Sequence, residues 1–411
     1  MKIIFTVLLT ISSLTAFAQS GKLTIDQAVD LALKNNSGIK AAYYDVESQK
    51  QLKKTSFDLP KTNVSLLYGQ YNSYSKNDNN FTITQSIPFA TLGSQGALNR
   101  SLIASSELKK ASTENELVYQ VKQVYYQLAF IQASHNLLLQ QDSIYEGFLK
   151  SASLRYKTGE TNLLEQTTAE TQSNEVKNQL RQNEANITVL RTQLRTLLNS
   201  DALPEISENI LNALLFEESP DTTALAANPS LAYMRQQVEV AQSQKKVESA
   251  RFAPDFLVGY FNQTLIGVVD TETGSGKIAT SGDRFSGIQL GISIPLWFAP
   301  YQGRVKAAEF KKQEAQSNYQ YYQTNLLGQL QQAAEQYSKN KNSLDYYRTS
   351  ALPNAELILK QSQIGFRAGE IDYAVYLLGV RNAISIKEAH LQTLNDYNQS
   401  IIYIEFLSGV K

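Results

Sequence analysis

The sequence predicts a mainly α-helical chain with a transmembrane β-barrel part, built from two repeats of one pattern. Three observations lead to this fold class: duplicated landmarks in a fixed order, long coiled-coil patterns in both halves, and short segments of alternating polarity. Together they predict long coiled-coil helices plus four β-strands per chain.

The first residues have the features of a secretory signal peptide. Lys2 precedes an apolar run, and Ala16-Phe17-Ala18 matches an A-x-A cleavage site. A membrane-spanning helix needs about 20 unbroken apolar residues, and hydroxyl side chains interrupt this run. We therefore expect residues 1–18 to be removed and the mature chain to be exported.

Five landmarks occur twice in the same order, with the copies separated by 192 to 210 positions. They are Asn36 and Asn228, Lys53-Lys54 and Lys245-Lys246, Leu59-Pro60 and Ala253-Pro254, Ser86-Ile87-Pro88 and Ser293-Ile294-Pro295, and Gly159-Glu160 and Gly369-Glu370. Chance matches would not keep both order and spacing. The pattern predicts a first repeat over residues 19–200, an equatorial connector over 201–227 and a second repeat over 228–411.

Each repeat contains a long helix and a return helix with coiled-coil spacing. A helix is predicted from Ser94 to Tyr156, with mostly apolar residues at alternating steps of three and four from Leu117 to Leu149. A return helix is predicted from Leu163 to Asn199, with the same spacing from Val176 to Leu197. The second repeat predicts a helix from about Tyr301 to Phe366, kinked by Pro353, and a return helix from about Tyr373 to Ser408. Shorter helices over 39–57 and 230–252 would extend the return helices, so that one long helix lies beside two stacked end to end.

Four segments between the helices alternate in polarity as β-strands do. They begin near Asn63, Phe81, Phe256 and Gly287. In the clearest segment, small or polar residues alternate with Ile288, Leu290, Ile292 and Ile294. One apolar face is what a lipid-facing barrel strand requires, although a half-buried soluble sheet shows the same alternation.

The number of strands bears on how the chain is assembled. The smallest transmembrane barrels use about eight strands, and open sheet edges are not tolerated in lipid. If the four strands enter a membrane, several copies of the chain must therefore combine. Three copies would give twelve strands.

Composition argues against most chemical functions. The chain has 38 Lys plus Arg, 38 Asp plus Glu and no Cys, which excludes thiolate chemistry and argues against nucleic acid as a partner. The two histidines, His135 and His390, lie on different predicted helices without a second ligand nearby. We predict no metal site, no cofactor and no catalytic residues, so the chain is not expected to be an enzyme.

Nearly the whole mature chain resembles the outer-membrane efflux protein family, the TolC-like ducts. The motifs that carry the resemblance are duplicated. They are Asn-x-x-[Leu/Ile] at Asn36 and Asn228, Ile-Pro-[Phe/Leu] at Ile87 and Ile294, and the hairpin tips Tyr156-x-x-Gly159-Glu160 and Phe366-x-x-Gly369-Glu370. The Gly159 to Glu165 segment looks most like the branch that serves cation and drug efflux pumps.

The resemblance implies a function as well as a fold. It implies a homotrimer with a twelve-stranded barrel in the lipid of the outer membrane and a helical barrel in the periplasm. It also implies that the tips dock to a periplasmic adaptor linked to an inner-membrane pump. The tip residues are Tyr156, Lys157, Gly159, Glu160, Phe366, Arg367, Gly369 and Glu370.

A periplasmic gate is also implied, but its residues depart from the family pattern. Val375 stands where some relatives carry a gate aspartate, so Asp372, Tyr373 and Tyr376 are the nearest candidates. The alternative is that they pack the start of the helix, with Asp372 as its N-cap. The function expected is a passive exit duct; the alternative from another class is an exported coiled-coil scaffold or adhesin without a pore.

Overall fold

The computed structural model describes residues 22–208, 210–216, 222–267, 276 and 278–409. The predicted signal peptide, residues 1–18, lies outside the described residues. The helices of the described part are α1 (Ile25–Asn35), α2 (Ser37–Leu52), α3 (Phe89–Lys157), α4 (Leu163–Leu198), α5 (Pro229–Ala250), α6 (Phe298–Tyr346), α7 (Leu352–Ala368) and α8 (Tyr373–Ser408). The strands are β1 (Asn63–Tyr68), β2 (Asn79–Ile87), β3 (Asp255–Thr264) and β4 (Arg284–Ser293).

The order of elements repeats once along the chain. Short helices, a strand pair, a long helix and a return helix occur in the first half, and the same series follows Asn228. At about 1.5 Å per residue, the 69 residues of α3 extend about 100 Å. The predicted fold class, mainly helical with four strands and internally duplicated, is confirmed. The long helix begins earlier than predicted, at Phe89, directly after the proline that ends β2.

The four strands form one antiparallel sheet in the order β1-β2-β3-β4. β2 pairs with β3, so the centre of the sheet joins the two repeats. Within the described part, β1 and β4 each have a neighbour on one side only. The sheet therefore has two open edges.

The same hydrogen bond joins the shorter helices end to end in both repeats. The Asn36 side chain caps α2 and donates from Nδ2 to the carbonyl of Leu197, 3.1 Å away at the end of α4. The Asn228 side chain caps α5 and donates from Nδ2 to the carbonyl of Leu407, 3.0 Å away at the end of α8. Each amide satisfies both a helix start and a helix end, so the two short helices act as one.

A hydrophobic core lies midway along the helices, where the connector crosses them. Val121 and Leu128 from the predicted α3 seam are fully buried with Leu194 of α4. The Tyr125 hydroxyl donates to the carbonyl of Leu23 at 2.8 Å, and a short parallel bridge joins Leu23 to the connector residue Ile206. The connector thus packs against the middle of the long helices.

The long helix of the second repeat is interrupted in the turn that precedes Pro353, the residue at which a kink was predicted. We expected one helix kinked at Pro353, but α6 ends at Tyr346 and a π-helical turn over Tyr347–Ala351 precedes α7. Proline lacks an N–H and its ring crowds the carbonyl one turn earlier, so the backbone widens before it. No proline occurs within α3, which stays regular throughout.

Candidate functional sites: the sheet face and the helical tips

One face of the sheet is apolar and exposed. Ile288 and Leu290 are 75% and 76% exposed, and Ile292 and Ile294 are exposed on the same face. The register places Tyr260 beside Ile288, and it continues the apolar face across β3 with Val258 and Phe256. The four residues predicted to face lipid therefore lie together on a continuous apolar surface; their contact with lipid remains a prediction.

The opposite face carries small side chains and a few large ones that cover them. A Cβ atom at Gly287 would lie 2.6 Å from the Phe261 ring, so this ring needs glycine on the neighbouring strand. A Cβ atom at Gly291 would lie 3.5 Å from the Leu257 side chain, which is an ordinary van der Waals contact. Thr84 and Ser86 occupy the same face of β2. The two faces of the sheet thus differ in polarity and in size.

Aromatic side chains surround the end of the sheet nearest the helices. The Phe89 ring meets the Phe256 ring edge to face, with centroids 5.7 Å apart. Trp297, just after β4, is 82% exposed. Exposed aromatic side chains at the ends of an apolar band are typical of a membrane–water interface.

At the other end of the sheet, a buried carboxylate joins the β1–β2 loop to the end of β3. Asp78 accepts hydrogen bonds from the backbone N–H of Asn72, at 3.1 Å, and from the Thr264 hydroxyl. These hydrogen bonds, led by that from Thr264, lower the pKa of Asp78. The contact links the β1–β2 loop to the end of β3.

The two helical hairpins end in the same backbone turn. Gly159 has φ +76° and Gly369 has φ +73°, the left-handed conformation that ends many helices. In the first turn, the N–H of Glu160 donates to the carbonyl of Arg155 at 2.8 Å. In the second, the N–H of Glu370 donates to the carbonyl of Gly365 at 2.9 Å. Both glycines therefore serve the same turn geometry, as their spacing predicted.

The predicted tip residues are presented at the surface with one exception. Those exposed are Tyr156, Lys157, Gly159, Glu160, Arg367, Gly369 and Glu370. Phe366 instead turns inward, and its ring stacks on Tyr376 with centroids 4.6 Å apart. Phe366 thus closes its own hairpin.

The candidate gate residues lie at the start of α8. The Asp372 carboxylate accepts a hydrogen bond from the N–H of Val375 at 2.9 Å, which makes it the N-cap. Tyr376 is buried, which raises the pKa of its phenol. The Tyr373 ring stacks on Phe148 of α3. These contacts favour the packing alternative; a gating role remains a prediction.

Asn162 supports this interpretation of Asp372. It occupies the corresponding position of the first tip, and its side chain caps α4 by accepting from the N–H of Glu165 at 3.0 Å. Capping is therefore common to both repeats, whether or not the cap is charged.

Arg155 and Glu165 of the first tip were not predicted as site residues. Glu165 belongs to the motif that carried the resemblance, yet its burial against Arg155 was not predicted. The available signal was the difference between repeats: the corresponding residues of the second tip are Val375 and Gly365.

Titratable side chains in the described ranges do not form a metal site. No group of three or more His, Asp or Glu residues there could hold a metal ion. Burial, and to a lesser extent Arg348, lowers the pKa of His390, whose ring lies beside Tyr347. The buried Nδ1 of His135 has no hydrogen-bond partner among the described residues. Also within these residues, no helix has the length and apolar character needed to cross a membrane.

Comparisons with known proteins agree with this architecture. Residues 222–410 match the family described as outer membrane efflux protein. The Campylobacter jejuni CmeC outer membrane channel superimposes with a TM-score of 0.77 at 18% identity, over 94% of this chain and 85% of that one. The Vibrio cholerae outer membrane protein VceC gives 0.74 at 15% identity, over 94% and 96%. The open state of the Neisseria gonorrhoeae MtrE outer membrane channel gives 0.70 at 14%, over 94% and 89%. The sequence has no significant match among curated proteins.

The second half of the chain thus matches the model of the outer membrane efflux protein family, and nearly the whole chain has the fold of these channels. The predicted resemblance is confirmed, and the outer-membrane location predicted for this chain is the one for which the matching family and channels are named. The matching proteins are channels and not enzymes.

Proposed function

We propose that the chain is the exit duct of a tripartite export system. Three copies close a twelve-stranded barrel in the outer membrane, and their helices form a tube in the periplasm. The tips dock to a periplasmic adaptor, and an inner-membrane pump supplies the energy. The duct itself conducts substrates passively.

The observation that carries this proposal is the open sheet with one apolar face. The exposed face would be costly in water, and the unpaired edges of β1 and β4 would be costly in lipid. Pairing β4 of one copy with β1 of the next removes both edges. Four strands cannot enclose a pore by themselves, whereas twelve strands lie well within the range of known barrels.

The two sheet faces and the long helices support the same arrangement. With the apolar face toward lipid, the small and polar side chains of the other face would line the lumen. The long helices place the tips about 100 Å from the sheet, far enough to meet a partner anchored in the inner membrane.

The protein mass of the detergent-extracted particle tests this proposal. Light scattering with the detergent contribution subtracted should give about three times the mass of the mature chain, which is the 45.9 kDa of the full chain less residues 1–18. A particle that is monomeric and stable in detergent would contradict barrel closure and would favour the scaffold. Solubility without detergent would also favour the scaffold.

A further inference from the structure

The two tips have the same backbone conformation, but different side-chain interactions stabilise them. Both have a left-handed glycine and a capped return helix, and equivalent residues lie 210 positions apart. The side chains beneath the turns nevertheless differ in chemistry.

A buried carboxylate closes the first tip. Glu165 is 3% exposed, and its Oε1 lies 3.0 Å from Nη1 of Arg155. Its Oε2 accepts a hydrogen bond from the Thr161 hydroxyl. Nε of Arg155 also lies 4.0 Å from Oε2 of Glu160 on the tip surface. One side chain thus connects the end of α3, the turn and the start of α4.

An apolar contact closes the second tip. Gly365 and Ile371 replace Arg155 and Thr161, and the Ile371 side chain lies 3.5 Å from the position that a Cβ at Gly365 would take. Val375 replaces Glu165. The turn at the glycine can therefore form without a charged side chain beneath it.

Burial at the start of α4 is the reverse of the usual pattern. Leu163 and Leu164 are 59% and 66% exposed, while the next residue, Glu165, is buried. Burying a charge pair costs desolvation that an apolar pair avoids, and exposing two leucines gives up their burial. Departures from local rules of this kind are expected at functional sites.

We propose that Glu165 is the positioning residue of the first tip. Bound to Arg155 and Thr161, it fixes the first turn of α4 so that Leu163 and Leu164 face outward and meet apolar side chains of the adaptor. This inference rests on the proposed docking at the tips. A preformed surface loses less conformational freedom on binding than one that must be ordered first.

Cross-linking in cells tests the role of Glu165. The chain has no Cys, so Lys157→Cys carries a single thiol-reactive photo-cross-linker at the first tip. We expect Glu165→Gln to lower the yield of the adaptor adduct about tenfold, the change that corresponds to 1.4 kcal/mol. The matched control is Glu146→Gln, which removes a carboxylate from the exposed Glu146–Lys150 pair of the same hairpin and should leave the yield unchanged.

A second variant separates positioning from folding. Arg155→Gly, Thr161→Ile and Glu165→Val together give the first tip the residues found at the same three positions of the second tip. This variant should form trimers with a normal melting temperature, yet it should lose the adduct as Glu165→Gln does. Normal adduct yields in both variants would overturn the positioning role.

Two further results would also overturn the inference. An adduct consisting of a second copy of this chain would show that Leu163 and Leu164 lie at a subunit contact. No adaptor adduct from the chain that carries Lys157→Cys alone, with trimers intact, would refute docking itself and therefore the proposed function as well. Loss of yield in Glu165→Gln alone would show that the carboxylate is needed only where Arg155 remains, and it would likewise contradict the role.

Discussion

At the scale of single residues, Asn228 shows why the sequence repeats this residue type at 192-residue spacing. Its Oδ1 caps α5 through the N–H of Leu231 at 2.9 Å, while its Nδ2 satisfies the carbonyl of Leu407. Aspartate, serine and threonine can also cap a helix. The bond to the second helix requires in addition a side-chain N–H donor that is long enough to reach the carbonyl of Leu407, which asparagine supplies.

Asn228→Ser and Asn228→Ala should therefore differ. Serine keeps a capping oxygen but cannot reach Leu407, whereas alanine loses both bonds. We expect losses of about 1 kcal/mol for serine and about 2 kcal/mol for alanine. Thermal unfolding of the purified trimer, followed by its helical circular dichroism, measures the order; equal melting temperatures for the two variants would contradict the double role.

The raised pKa of Tyr397 implies that the stability of the fold decreases at alkaline pH. Its hydroxyl donates to the carbonyl of Leu214 at 3.3 Å, and burial raises its pKa to about 12. Because the folded pKa lies above the ordinary value of about 10, its contribution is complete below pH 10 and is lost as pH rises toward about 12. Tyr397→Phe should flatten the fall in melting temperature between pH 10 and 12. If the melting temperature fell equally steeply in the variant, the Tyr397 phenol would not be the cause of the alkaline loss of stability.

At the scale of elements, the strands and tips are defined by their alternation and their turns. Neighbouring strand residues point to opposite faces of the sheet. Ile288 and Gln289 therefore lie on opposite faces, at nearly the same height along β4. The turns depend on glycine because other residues are strained at positive φ.

Ile288→Lys and Gln289→Lys form a matched pair for the sheet. A lysine on the lipid face near the bilayer midplane costs about 2–4 kcal/mol, whereas a lumen-facing lysine remains hydrated. We expect Ile288→Lys to reduce the amount of trimer in the outer-membrane fraction and Gln289→Lys to leave it normal. Normal assembly of both would contradict the assignment of the lipid face.

Gly159→Val and Gly369→Val together test the tips. Valine at positive φ costs about 1–2 kcal/mol per site and should distort both turns locally. Efflux should be abolished, measured as accumulation of the exported compound in cells, while trimers persist in detergent. Gly147→Ala is the control, since its added Cβ meets open space within α3. Unchanged efflux in the double variant would refute the docking role.

At the scale of the whole molecule, the two repeats have the same order of elements but differ in detail. The first repeat has an unbroken long helix and an ion pair at its tip. The second has a π-helical turn and a tip that is closed by an apolar contact. A trimer would therefore alternate two kinds of tip around one end of the duct.

Closure of that end is tested through Asp372. Asparagine caps a helix as well as aspartate does, so Asp372→Asn removes the charge and keeps the cap. If this carboxylate helps to close the gate, Asp372→Asn should raise the single-channel conductance in a planar bilayer. Asp372→Ala, which also loses the cap, should in addition cost about 1 kcal/mol of stability. Conductance unchanged in both variants would place the gate elsewhere.

The sequence alone determined the features that depend on neighbours along the chain. Helical spacing, strand alternation and the glycines at 159 and 369 predicted the elements, the duplication and the apolar sheet face, because each reflects a local period or backbone conformation. Only the tertiary structure decided which side chains meet across the hairpins. The inward turn of Phe366, the burial of Glu165 on Arg155 and the bond from Asn228 to Leu407 each depend on a partner from another helix. No local period encodes such a partner, because packing on another helix selects it, and in the bond from Asn228 to Leu407 the partner lies 179 positions away.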